Sequence, residues 1–171
     1  MRILAFAALC LALSVVAFAQ TEAPLPDSLK TPTSEHPVLK THALGVQIYN
    51  CVKNADGKFT WTLKAPEADL RDDEGKTVIV HSAGPTWQHR DGSKITGKVA
   101  AKADAPQPDS IPWLLLTADH SESGAGALSR VNYVQRIYTS GGQPPATGCD
   151  ADHAGAESRS HYSADYVFFA P

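Results

Sequence analysis

The sequence predicts an all-β domain, an antiparallel sandwich or barrel of about eight strands with one disulfide. Three observations carry this. Residues 45–70 hold two strand-like runs around Asn54-Ala55-Asp56-Gly57, and Asp-Gly between alternating runs is a strong hairpin signal. Short runs rich in Val, Ile, Thr, Tyr and Trp follow between turn signals, and none has the period of an amphipathic helix. Cys51 and Cys149 both lie downstream of a segment that reads as a secretory leader.

That leader is Met1 to Ala19. Arg2 supplies the positive start, Ile3 to Val16 is almost wholly apolar, and Ala17-Phe18-Ala19 is a small-x-small cleavage site. Cleavage after Ala19 is expected, leaving about 150 residues, one domain's worth. The apolar run is short for a bilayer span, which needs about 20 residues, so no membrane insertion is expected once it is removed. Of three cysteines, Cys10 leaves with the leader. A Cys51–Cys149 bridge is the natural reading for an even pair in an exported chain; the alternative is two free thiols. The net charge of −3 gives no basic face for nucleic acid.

The remaining elements follow in order. Residues 20–42 carry Pro24, Pro26, Pro32 and Pro37 without apolar periodicity and read as an extended, poorly ordered leader before a single domain at 43–171. One strand is expected from Gly45 to Lys53. The next runs from Lys58 to Lys64, with Phe59, Trp61 and Leu63 toward the core and Pro66 ending it. Thr77–Ser82 and Thr86–Arg90 are short strands. Lys94–Lys102 alternates with lysines outward, as an edge strand needs. Ile111–Ala118 is apolar on both faces and should be covered on both. Val131–Ser140 and Tyr162–Ala170 complete the set.

Several stretches occur in an order that resembles a known family: GVQIYNC, WTLKAPEADL, HSAGPTWQHRDGS, IPWLLLTA, VNYVQRIYTSGG and GCDA. Over residues 36–170 the chain resembles the secreted bacterial and fungal domains grouped as domain-of-unknown-function family 3455. The resemblance implies an exported single domain; it assigns no activity, ligand or site residue.

The residues themselves narrow the chemistry. Gly124-Ala125-Gly126-Ala127-Leu128-Ser129 has two glycines of a dinucleotide turn, but a strand-like run follows where a helix must receive the pyrophosphate. No nicotinamide or other cofactor is expected. The seven histidines show no HxH, HxxxH or HExxH spacing, and no CxxC occurs, so no metal ligands are assigned. A β-fold could still bring His81 and His89 together with Asp119 or His120. No GxSxG elbow occurs. The carboxylates of residues 67–74 read as a solvated acidic loop, although a hydrolase would need two of them across a cleft.

Trp87 and Trp113 stand at loop–strand junctions, where tryptophans stack on sugars or cover the ends of a fold. Gln135 and Arg136 occupy opposite faces of one strand. Arg136, if inward, needs a carboxylate such as Glu67 or Asp69. The ligand-binding candidates are therefore Glu67, His81, Trp87, Trp113 and Arg136. The expected function is a non-catalytic binding module, secreted or periplasmic, for a small molecule or glycan. The alternatives are an extracellular hydrolase of a polymer such as a polysaccharide, and a metal-dependent β-sandwich protein.

Overall fold

The Asp56-Gly57 hairpin forms as its residues require. Gly57 adopts φ +79°, a conformation open to glycine at little cost. Its N–H donates to Asn54 O (3.0 Å), and Lys58 N donates to Asn54 Oδ1 (2.9 Å). The computed structural model describes residues 23–121 and 123–171; the expected signal segment, with Cys10, lies outside the described residues.

The strands are β1 (His36–Lys53), β2 (Phe59–Arg71), β3 (Thr77–Ser82), β4 (Thr86–His89), β5 (Lys94–Ala103), β6 (Trp113–Asp119), β7 (Tyr133–Gly141) and β8 (Glu157–Ala170). Each pairs antiparallel with the next, and β8 closes on β1. The choice between sandwich and barrel thus falls to an up-and-down barrel, in which every strand has a partner on each side over at least part of its length.

Three boundaries differ from expectation, for backbone reasons. β1 begins at His36, so residues 36–42 are strand and pair with the end of β8. Pro37 is accommodated because it stands at the start of the strand, beside a register shift between Pro37 and Leu39. Pro66 does not end β2. Pairing with β3 covers only Ala68–Arg71, so Pro66 faces no strand on that side among the described residues, and an open edge tolerates proline. β8 begins at Glu157 rather than Tyr162 because residues 157–161 continue the ladder with β1.

The barrel interior is packed by residues including Leu70, Ile79, Trp87, Ile95, Val134 and Phe168. A second cluster lies outside the wall, where Leu29, Trp113, Leu115 and Ile137 pack together with Ala23 and Leu25. The expected poorly ordered leader is thus, from residue 23, a cover. Its 3-10 turn (Asp27–Leu29) contacts β5 and β6, and Leu29 is fully buried. This explains the apolar run of β6. Leu116 belongs to the inner cluster, with Leu114 packed against it, while Trp113 and Leu115 belong to the outer one. Gln135 is also buried under the cover, donating from Nε2 to Leu29 O at 2.7 Å.

The Cys51–Cys149 disulfide is formed, with Cα atoms 5.3 Å apart and 98 residues between the partners in sequence. Trp61 corrects an expectation. It pairs with Cys51 across the hairpin, but it is half-buried and its Nε1 donates to Thr147 O at 3.0 Å. At this end of the barrel the neighbouring surface is the proline-rich loop at 144–149, not the packed interior.

Candidate functional site

The barrel wall is not complete all the way round. β3 and β4 are six and four residues long, much shorter than β2 and β5. β2 pairs with β3 only at Ala68–Arg71, and β5 pairs with β4 only at Lys94–Thr96. Beyond that, the seam is continued by one bond from Gly97 N to Pro85 O (3.0 Å). Residues 63–66 of β2 and Val99 of β5 are left as walls of a cleft of about 350 Å³ under the Gly84-Pro85 turn. Leu114, Leu116, Trp87 and Tyr166 give it an apolar lining; Gln47, His81 and Arg136 add polar groups from three further strands.

His81 and Trp87 face each other across the β3–β4 ladder and stack with ring centroids 4.6 Å apart and planes 6° from parallel. Tyr166 meets both edge-on. Gly97 makes room for this stack: a Cβ there would lie 2.6 Å from the Trp87 ring. His81 Nδ1 donates to Thr86 O at 2.8 Å, which fixes the tautomer. Burial holds the His81 ring down to about 4, against the raising effect of that bond, and the Arg136 charge adds to the lowering. The imidazole is therefore neutral at pH 7. Tyr162 and Tyr166 bring their hydroxyls to 3.3 Å, and burial pushes the Tyr162 phenol far above its ordinary range.

The charge inventory of the cleft is one-sided. Gln47 is 2 % exposed and Trp87 1 %. Gln47 Nε2, Trp87 Nε1 and Arg136 Nε are all buried, and none has an acceptor among the described residues. A buried donor without a partner costs about 1–3 kcal/mol. Arg136 Nη2 donates to Pro112 O at 2.9 Å. The expected carboxylate partner of Arg136 is not there: Glu67 points to the outer surface and pairs with Arg159 at 2.9 Å, and no acidic residue lines the cleft among the described residues. Lys64, at the mouth, is held by Glu157 at 2.7 Å.

Of the residues singled out from sequence, His81, Trp87 and Arg136 share this cleft, while Glu67 and Trp113 do not. Trp113 is 2 % exposed, in the outer cluster, edge-on to Tyr138. Gln47 and Tyr166 belong to the cleft and were missed. Gln47 had a signal, being the one long polar side chain within GVQIY. The carboxylates at 67–74 do not converge on the cleft; Asp72 Oδ1 instead accepts from Glu74 N and Lys76 N in its own turn.

The Gly-rich string has a structural task. Asp91 accepts from Ser93 N, Ser93 Oγ and Ala127 N. These bonds, the Ser93 hydroxyl first, hold its carboxyl well below the usual carboxylate range. A Cβ at Gly126 would strike that carboxylate at 2.6 Å. Among the described residues, no group of three or more His, Cys, Asp or Glu side chains is placed to hold a metal ion. Nor, among them, is any helix long and apolar enough to cross a membrane.

No curated protein and no solved structure matches the chain. A family model described as "Protein of unknown function (DUF3455)" matches residues 32–170. That span covers nearly all of the barrel and includes every strand, and on this match the chain belongs to the DUF3455 family.

Proposed function

We propose that the protein is a small-molecule-binding module that works outside the cytosol. One observation carries the binding role. The barrel wall gives way to an apolar cleft of about 350 Å³, into which a few polar groups from separate strands converge. Small-ligand sites have this composition and run from about 300 to 1,000 Å³. The cleft is built on strands, and its aromatic floor is fixed by stacking and by the His81–Thr86 bond. Such a site keeps its shape without a ligand. The disulfide supports an oxidising location, as does the apolar N-terminal segment ending in Ala17-Phe18-Ala19.

The test is a nitrogen-15 amide titration of the oxidised domain with indole, a neutral apolar probe. Shifts should concentrate at Gln47, Ala65, Gly84 and Val99. Val99→Trp, at a half-exposed position on the wall, should weaken binding at least tenfold by filling the mouth. Shifts scattered over the surface, or equal binding by V99W, would overturn the reading.

A further inference from the structure

We infer that the ligand of this cleft is a small organic monoanion, a carboxylate on an apolar body, anchored by Arg136. The inference rests on reading the cleft as a ligand site and adds the charge its occupant must carry. Two cations line the cleft, and they differ. Lys64 is neutralised by Glu157. Arg136 has no ion pair among the described residues; its one hydrogen-bond partner is the Pro112 carbonyl. Arg136 is partly buried, a setting in which a guanidinium without a counter-ion favours an anion beside it, and a planar carboxylate matches its fork.

The surroundings agree in sign. Two neutral donors behind the lining, Gln47 Nε2 and Trp87 Nε1, have no acceptor among the described residues, and no described wall residue is acidic. What the cleft's side chains leave without a partner is one positive charge. His81, neutral through burial, brings no second positive charge. One uncompensated cation matches one negative charge, so a phosphate dianion would enter with charge unpaired. The remaining wall, formed by Leu63, Pro66, Val99, Leu114 and Leu116, suits a hydrocarbon body and offers little to a sugar's hydroxyls.

Benzoate and benzamide share shape and size and differ in charge, so their affinities at pH 7 isolate the point. Calorimetry on the oxidised protein should show benzoate binding at least tenfold more tightly than benzamide, and more tightly than inorganic phosphate. In Arg136→Gln the two aromatic ligands should come within twofold of each other. If R136Q does not fold, Arg136→Lys, which keeps the charge but loses the fork, should still lose at least threefold of the preference. Equal binding of benzoate and benzamide by the native protein would overturn the anion assignment, while the indole shifts would still stand for the cleft. Phosphate binding more tightly than benzoate would overturn the carboxylate class. Failure of both aromatic ligands, with no indole shifts, would remove the site itself.

Discussion

The two sides of the barrel are closed by different means. On one side β8 pairs with β1 from His36 to Asn50, the ladder continues through Cys51 N to Ala156 O (2.9 Å) and Gly155 N to Cys51 O (2.8 Å), and the disulfide ties the same residue to Cys149. On the other side the β3–β4 hairpin reaches only part of the way between β2 and β5, and side chains make up the wall. A backbone ladder satisfies its own polar groups. Where the ladder stops, the interior must be sealed by His81, Trp87, Gln47 and Arg136, and donors are left over. The cleft is a consequence of two short strands. The closed side should therefore respond to redox conditions and the split side to pH.

Breaking the closed side should have the larger effect. The chain-entropy model gives a crosslink across about 100 residues about 4–5 kcal/mol, an upper-end figure. Reduction, or Cys51→Ser, should lower the urea midpoint accordingly. The double variant with Cys149→Ser should be no worse than either single one, because both remove one bond. Equal midpoints for oxidised and reduced protein would mean that the β1–β8 ladder closes this side unaided.

The split side is probed next by titration. His81 is held at about 4 in the folded protein by burial, against about 6.5 when unfolded. A depressed histidine value means that the unfolded chain takes up the proton first. Its contribution to stability is therefore full above pH 6.5 and declines as pH falls toward 4. The loss should reach about 3 kcal/mol. His81→Gln removes the titration, so the stability gap between native and variant should narrow across this window in urea melts at pH 7 and pH 4.5. A gap that does not change with pH would show that the imidazole is not sealed from water.

The same contrast decides what the sequence could reveal. The hairpin, the strand count and the disulfide were legible because alternation, turn residues and cysteine parity act locally or by elimination. The start of β1 was not, because Pro37 and the polar residues near it read as leader, and only the long β8 partner recruits them. Pro66 read as a stop because nothing in sequence shows that its neighbouring strand is too short to reach it. At the site, Arg136 and Gln135 were recognised as a problem of faces. Both turn out to be held from outside their strand, Gln135 by Leu29 O and Arg136 by Pro112 O. Gln47 could have been singled out; that no carboxylate among the described residues stands opposite Arg136 could not.

The smallest effect lies where the two sides meet, at Trp61. Alternation put it in the core, where truncation would cost about 3–5 kcal/mol. It is half-buried instead, bonded to Thr147 O in the loop that carries Cys149. Trp61→Ala should cost about 1–2 kcal/mol in the oxidised protein, the range of a partly exposed aromatic and one hydrogen bond. The bond depends on the loop, and the loop is pinned by the disulfide. In the Cys51→Ser, Cys149→Ser background the same change should cost less, because a released loop gives Trp61 Nε1 no fixed acceptor. The coupling in this double-mutant cycle measures how far the closed side's crosslink reaches across the hairpin toward the split. Strict additivity would show that the Trp61–Thr147 contact forms without the disulfide, and that the 144–149 loop is ordered by its own prolines.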